Sequence, residues 1–427
     1  MAYTTTTLSG NVTLTGTSSA DSITSAAAKK LSVSSYEGLD NLTLSGSATS
    51  GTVGMGGGVD TVTITTGAAS KLNITLGDAA DTFTSAQTDS KITVGGQGGA
   101  DKFVISGAST DSYYAGGQGK DSFYATSSDG GQLGAKSTLV GGSENDTLGI
   151  SSDGINVGAA AFINGQVGAD KIYVNAGATA TVRGGSEADT IKVTGGSSGQ
   201  WMYGDKGADK LTGGAGADTI LGGGGADVIS GGAGTDSMSG GEGTDDFLLK
   251  ELVTSADVVA KTIKDFSVAE ADQFGNFSLA DLTTITGSGD VGDLISAGLS
   301  TTSIAAGDSA SVTKVSSAYN LGTTGTGNIL TLDSSTAFTA ATAADALEAG
   351  GSLELTVNGA VAENDGFFVI YDNNVDTTIG LAASTTTVSD NGTFGASTGL
   401  VVNTLTTLKG ISDASTITAS NILDFIA

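Results

Sequence analysis

The chain has 427 residues, 68 of them glycine, and contains no proline, cysteine or histidine; glycine runs at more than twice its usual share of ~7% and proline falls short of its usual ~5%. Without Cys and His there is no disulfide frame, thiolate zinc site, Cys nucleophile, Ser-His-Asp triad or HExxH metalloprotease, which removes most hydrolase chemistry. Forty-five acidic against 17 basic residues give a formal charge of −28, which disfavours nucleic acid and anionic membrane surfaces and makes cations the natural partners.

The hydrophobic fraction, 38%, is below the usual ~45–50% but above that of a disordered chain, so the chain folds around thin cores. No apolar run is long enough to span a bilayer, and no membrane insertion is expected. The start, MAYTTTTLSG, has neither the basic nor the apolar region of a secretory signal.

From the first residues to the middle of the chain, an x-Asp-x-apolar pattern recurs at Asp21, Asp40, Asp60, Asp81, Asp101, Asp121, Asp146, Asp170, Asp189 and Asp209, in steps of 19 to 25 residues. Two positions after these stand Ile23, Leu42, Val62, Phe83, Phe103, Phe123, Leu148, Ile172, Ile191 and Leu211. Seven positions before them stand Leu14, Val33, Val53, Ile74, Val94, Tyr114, Leu139, Ile163, Val182 and Met202. Two apolar ladders bracketing one turn predict an all-β parallel β-solenoid with two strands per coil and about 20 residues per coil. The longer steps place Ser127–Ser137 and Asp153–Ala160 in turns opposite the aspartates. That opposite edge carries loops such as SAAAKK (25–30), SGSATS (45–50) and SAQTDS (85–90), without regular metal positions.

From 204 to 248 the chain shortens to five consecutive nonapeptides, GDKGADKLT, GGAGADTIL, GGGGADVIS, GGAGTDSMS and GGEGTDDFL. Each fits G-G-x-G-x-D-x-U-x, U being a large apolar residue, with one Asp-for-Gly exchange at Asp205. The aspartates are Asp209, Asp218, Asp227, Asp236 and Asp245. Six turn residues tolerant of positive φ plus a three-residue strand make nine, and two units make a coil. Stacked turns lie about 4.8 Å apart, so a column of carboxylates is unfavourable unless a cation lies between them. Carboxylate and carbonyl oxygens select Ca²⁺ over softer metals.

These five nonapeptides resemble the RTX family, the calcium-binding repeats of secreted bacterial toxins, proteases, lipases and surface-layer proteins. The resemblance implies an RTX β-roll with several Ca²⁺ ions, each held between neighbouring turns on one edge. Asp209, Asp227 and Asp245 then line one edge and Asp218 and Asp236 the other, with the turn glycines Gly213, Gly216, Gly222, Gly225, Gly231, Gly234, Gly240 and Gly243 completing the sites. Upstream, Asp60, Asp101, Asp121 and Asp170 keep enough of the turn to ligate. Asp146 and Asp189 follow GGSEN and GGSEA, whose Glu either adds a ligand or replaces the turn glycine. For Asp21, Asp40 and Asp81 the alternative is an Asx-type hydrogen bond closing the turn.

Past Leu248 the glycine period stops, giving an expected order of solenoid 1–248, capping segment 249–290 and β-rich C-terminal assembly or secretion domain 291–427. Residues 251–274 read as a short helix followed by I-x-D-F at Ile263–Phe266, resembling the segment that closes RTX repeats and covers an open β-edge. SLELTV (352–357), GFFVIY (366–371) and TTIGLA (377–382) read as strands, and Thr342–Ala349 as a helix with Thr342 and Asp345 as a capping box. DNNVD (372–376) reads as a hairpin turn, with a further Ca²⁺ as the alternative. The tail, TITASNILDFIA, resembles type I secretion substrates, which are exported without a cleaved N-terminal signal.

With the ladder beginning by Leu14 there is no room for a preceding catalytic domain, and no catalytic residues are expected; a carboxylate/Tyr site on the solenoid, as in some epimerases and lyases, is the enzymatic alternative. G-x-G-x-x-G matches inside 213–243 lack a following helix and are by-products of the repeat. The expectation is an extracellular structural protein at a bacterial cell surface, folding with Ca²⁺ and assembling with copies of itself into an S-layer or filament. The alternatives are a calcium-dependent adhesin binding cell-surface polysaccharide or another glycan, and an ice-binding face along Thr24, Thr43, Thr63 and Thr84, a row that breaks at Val104, Tyr124 and Tyr173.

Overall fold

The computed structural model describes residues 11–25, 29–67, 69–125, 132–175, 177–249, 253–254, 257–258, 260–275, 312–317, 319–320, 329–333, 336–356, 366–389, 392–396 and 399–423. The chain forms two compact units, Met1–Gly224 and Gly225–Ala427.

The first unit is a parallel β-solenoid. Each coil contributes one short strand to each of two sheets, and every pairing is between one coil and the next. In one sheet Ile23, Leu42, Val62, Phe83, Phe103, Phe123, Leu148, Ile172, Ile191 and Leu211 stand in a single register. In the other, Leu14, Val33, Val53, Ile74, Val94, Tyr114, Leu139, Ile163, Val182 and Met202 do the same, and Ile220 follows. Both ladders face inward because alternate strand residues point to opposite sides. Their core is thin: each strand buries the ladder residue and often a second one two positions away, as in Leu42 and Leu44, Val62 and Ile64 or Ile172 and Val174, and Phe83, Phe103, Phe123 and Tyr114 are its bulkiest side chains, all buried. Phe103 and Phe123 stack with centroids 4.2 Å apart. Each such ring contributes roughly 1.5–3 kcal/mol of burial, which no single coil can realise alone.

The turns opposite the aspartates hold a short third sheet, Asp89–Ser90, Ala108–Thr110 and Gln132–Leu133. The Asp153–Ala160 insertion lies on this side and pairs Ile155–Asn156 with Val174–Asn175. Of the Ser127–Ser137 insertion, 127–131 lie outside the described residues, as do 26–28 of SAAAKK. Thr24, Thr43, Thr63 and Thr84 form one outward row, followed in register by Val104 and Tyr124.

In the second unit the solenoid pattern passes beyond 248. Asp246–Leu248 pairs with Gln273–Gly275, and Ser237 and Met238 pair with Thr262 and Ile263. What ends at 248 is the glycine period; the ladder makes one more coil. The short helix expected in 251–274 is therefore corrected to strands, among the described residues. The β-branched Val253, Thr254, Val258, Thr262 and Ile263 favour extended backbone, and edge pairing with the preceding coil overrides the weak helical pattern. Phe266 of I-x-D-F is buried against Phe247 and Phe274.

The sheet edge beyond Lys261–Ile263 is covered by Leu400–Leu408, in register Lys261 to Thr406. That strand is the third of an antiparallel set with Gly366–Asp372 and Thr377–Ser384. The helix is Ala340–Leu347, two residues earlier than the sequence implied, with Thr339 as N-cap and Thr342 completing the capping box. Asp345 is not a cap because the Thr339 hydroxyl already reaches the Thr342 N–H. Ala343, Ala344 and Leu347 pack with Phe338, Phe367 and Phe394 in the core of this part. Of SLELTV only Leu355–Thr356 is a strand, and 357 lies outside the described residues, as do 276–311 and 424–427. DNNVD is the hairpin turn. Its Asp372 and Asn373 side chains accept from backbone N–H groups of the turn, and Asp376 pairs with Lys409.

Candidate metal centre

Within each unit the aspartate turns stack in a column. Within the first unit the backbone N–H of each column aspartate donates to Oδ1 of the next: Asp21 to Asp40, Asp40 to Asp60, and so on to Asp189 and Asp209, at 2.7–2.8 Å. In the second unit Asp227 donates to Asp245 at 2.9 Å and Asp245 to Asp272 at 3.0 Å. All these carboxylates are buried. Oδ1 thus satisfies a backbone donor of the neighbouring coil. The opposite edge meets the same need with other side chains: Ser137 accepts from Ser112 N–H, Gln200 from Ala180 and Asp218 from Gln200. A hydrogen-bonding column alone therefore does not require aspartate.

What sets the aspartates apart is Oδ2. In Asp40, Asp60, Asp81, Asp101, Asp121, Asp146, Asp170, Asp189 and Asp245 it is buried with no hydrogen-bond partner. One such acceptor costs about 1–3 kcal/mol, and more when ionised. Burial pushes carboxyls of the column up, to about 7 for Asp60, Asp81, Asp101 and Asp121. Asp146 and Asp189 rise to about 8, and Asp170 and Asp245 to about 6. Backbone hydrogen bonds oppose the shift, and neighbouring carboxylates add to it in most of the column. Among the described residues no Lys or Arg pairs with any of these nine carboxylates.

From Asp101 onward the Oδ2 lies in a cradle built by the glycine five residues before it, whereas Ser35, Met55 and Leu76 stand at that position before Asp40, Asp60 and Asp81. A methyl at Gly116 would sit 2.0 Å from Asp121 Oδ2 and 2.4 Å from the Gly141 carbonyl oxygen, and one at Gly96 2.0 Å from Asp101 Oδ2 and 2.3 Å from the Gly116 carbonyl oxygen. The same pairing of own-turn carboxylate and next-coil carbonyl recurs at Gly141, Gly165, Gly184 and Gly204, the last facing the Gly222 carbonyl. Hard oxygens of two kinds therefore converge, as Ca²⁺ requires. Among the described residues carboxylates alone form no metal-holding cluster, so carbonyls must supply part of any ligand set. Gly116→Ala fills the cradle; it is expected to lower stability by about 1–3 kcal/mol and to weaken metal retention, measured by thermal melts with and without calcium.

The profile of the RTX calcium-binding nonapeptide repeat, in four copies, matches residues 194–229 and 212–247. Residues 194–247 are RTX repeats. Such repeats bind Ca²⁺ and are characteristic of secreted extracellular proteins. No curated protein and no solved structure matches the chain. Among the described residues no helix is long and apolar enough to cross a membrane.

Within the RTX segment the two edges differ. Gly231 and Gly240 cradle their own Asp236 and Asp245, a methyl there lying 2.2 and 2.1 Å from Oδ2. Gly225, Gly234 and Gly243 carry the positive φ of the fourth turn position, +132°, +109° and +135°. Asp218 departs from the expected ligand role: Oδ1 accepts from Gln200 N–H and Oδ2 from Gly214 N–H at 2.9 Å, inside the 213–218 turn that packs Gly216 onto Gly199. Asp236 departs too, because the Lys261 ammonium stands 2.6 Å from its Oδ2. Asp205, the residue in place of glycine, pairs with Arg183 at the surface.

Upstream, Glu144 and Glu187 take φ of +76° and +79° and are exposed. They stand in for the turn glycine, a left-handed conformation costing roughly 1–2 kcal/mol. Asp21 closes its turn through its side chain, but to a residue before it and not by the Asx-type bond, its Oδ2 accepting from Thr17 N–H at 2.6 Å. Asp40 and Asp81 do not; they share the inter-coil bond of the column. The sequence reading missed Asp89, buried on the opposite edge, where Oδ1 accepts from Ala69 N–H and Oδ2 from the Ser85 hydroxyl. It lies in SAQTDS, outside the period that marks the column.

Proposed function

We propose that the chain is an extracellular structural protein that folds around several Ca²⁺ ions and then assembles with copies of itself into an S-layer or surface filament. The observation that carries this reading is the column of buried, unpartnered carboxylate oxygens facing turn carbonyls. Asp101, Asp121, Asp146, Asp170 and Asp189 would hold the ions together with the carbonyls of the cradle glycines, Asp60 and Asp245 would add their own buried Oδ2, and Asp209 and Asp227 occupy equivalent turns of the repeat. Calcium supplies the missing positive charge, so ion binding becomes folding free energy. A type I secretion route fits this coupling, since a chain crossing the envelope unfolded would fold on meeting extracellular calcium.

Self-assembly follows from the same charge. Copies of a −28 chain repel one another until cations neutralise them. Electron microscopy of purified protein with and without millimolar calcium tests the proposal: ordered arrays or filaments are expected only with calcium, and a monomer at high protein concentration in calcium would refute assembly. A glycan-binding adhesin is the second reading, favoured by Tyr113 and Trp201, 43% and 49% exposed on one outward row of the solenoid. A glycan array separates the two.

A further inference from the structure

Lys261 is the most deeply buried cation in the described chain, 1% exposed. Burying an ammonium costs several kcal/mol unless oxygens surround it, and here they do. Its Nζ donates to the Gly232 carbonyl, to Asp236 Oδ2 at 2.6 Å and to the Gly234 carbonyl at 3.3 Å. Three donors thus meet three oxygens. The acceptors are two turn carbonyls and one carboxylate of the GGAGTD turn (231–236), the kinds of oxygen that Ca²⁺ takes.

Register explains how the lysine gets there. Ser237 pairs with Thr262, so Lys261 falls beside Asp236, at the position where the column on the other edge carries Asp272 beside Asp245. In one coil, therefore, one edge continues with a carboxylate while the other inverts the charge. The outcome differs accordingly. Asp245 Oδ2 is left without a partner, whereas Asp236 Oδ2 is held by the ammonium. Lys261 is fixed in turn from its far side, its carbonyl accepting from the Thr406 hydroxyl.

We infer that Lys261 is a tethered cation standing in for calcium in the 231–236 turn, so that this turn closes without metal and ends the ion column on its edge. The inference rests on the reading that the other aspartate turns take Ca²⁺. It gives the C-terminal end of the repeats a calcium-independent stop, one that is already closed when the ions arrive.

The test counts calcium. Wild-type protein and Lys261→Met are saturated with Ca²⁺, freed of excess and assayed by atomic emission, with circular dichroism to establish folding. Lys261→Met is expected to carry one more ion per chain than wild type, and Asp236→Asn added to it to remove that ion again. A folded Lys261→Met with no extra calcium overturns the inference. Wild type without any calcium instead refutes the reading of the column. Hydrogen exchange of the wild type in chelator covers the case in which Lys261→Met does not fold: protection is expected to persist across 231–238 and 261–263 while 96–121 loses it, and equal loss in both overturns the inference.

Discussion

Stripping calcium at pH 8 is expected to remove the share of the β-sheet circular dichroism that comes from the first unit, while the same calcium-free protein at pH 4 to 5 retains much of it. The sign follows from the column. Burial raises the folded carboxyls to about 7 for Asp60, Asp81, Asp101 and Asp121 and to about 8 for Asp146 and Asp189, whereas an unfolded aspartate titrates near ~3.9. A group raised in the folded state contributes stability that is fully present below its unfolded value and is lost as pH rises through its folded value. Without metal the loss therefore runs from about pH 4 to 8, with several carboxyls acting together. Calcium reverses the trend, because it takes the ionised carboxylates and releases their protons. Affinity should climb with pH across that window, and titrating calcium into weakly buffered protein at pH 6.5 should acidify it. Denaturation midpoints at pH 5 and 8, each with and without chelator, check the pattern; a calcium-free protein more stable at pH 8 than at pH 5 would contradict it.

Asp146→Asn should shift stability in opposite directions in the two conditions. The amide oxygen still accepts from Asp121 N–H, a bond of 2.8 Å in the wild type. The amide nitrogen gains a donor role toward the Gly165 carbonyl, which faces the Gly141 cradle with Asp146 Oδ2. At pH 8 without calcium the variant no longer ionises a buried group and is expected to gain about 1–3 kcal/mol. With calcium it loses a carboxylate ligand, so it should bind fewer ions and melt below wild type. Loss in both conditions would mean that Asp146 is only a structural hydrogen-bonding residue, as Ser137 and Gln200 are on the opposite edge.

The two ladders and the aspartate column were legible because a solenoid repeats its environment. When each coil lies on the next in register, the same structural need recurs at a fixed sequence distance. Period alone thus reached Ile23 through Leu211 and Leu14 through Met202. The C-terminal part has no period, and its strand pairings join distant segments such as Lys261 with Thr406. There, local pattern reached the helix to within a turn and the DNNVD hairpin, and mistook the last coil for a helix.

The sequence by itself determined the coil, its inward residues, its turn glycines and the surplus of carboxylates, because all of these depend on spacing and residue type. Only the tertiary structure decided which carboxylate oxygens are left over. That depends on which donors the fold brings to each turn: a backbone N–H of the neighbouring coil to Oδ1 along the column, the Gly214 N–H of its own turn to Asp218, the Lys261 ammonium of the next coil to Asp236. The nonapeptides of Asp236 and Asp245 share their consensus, yet one turn holds a lysine and the other an unpartnered oxygen. The difference comes from a residue 25 positions downstream of Asp236, which sequence spacing does not mark and inter-coil register brings into contact.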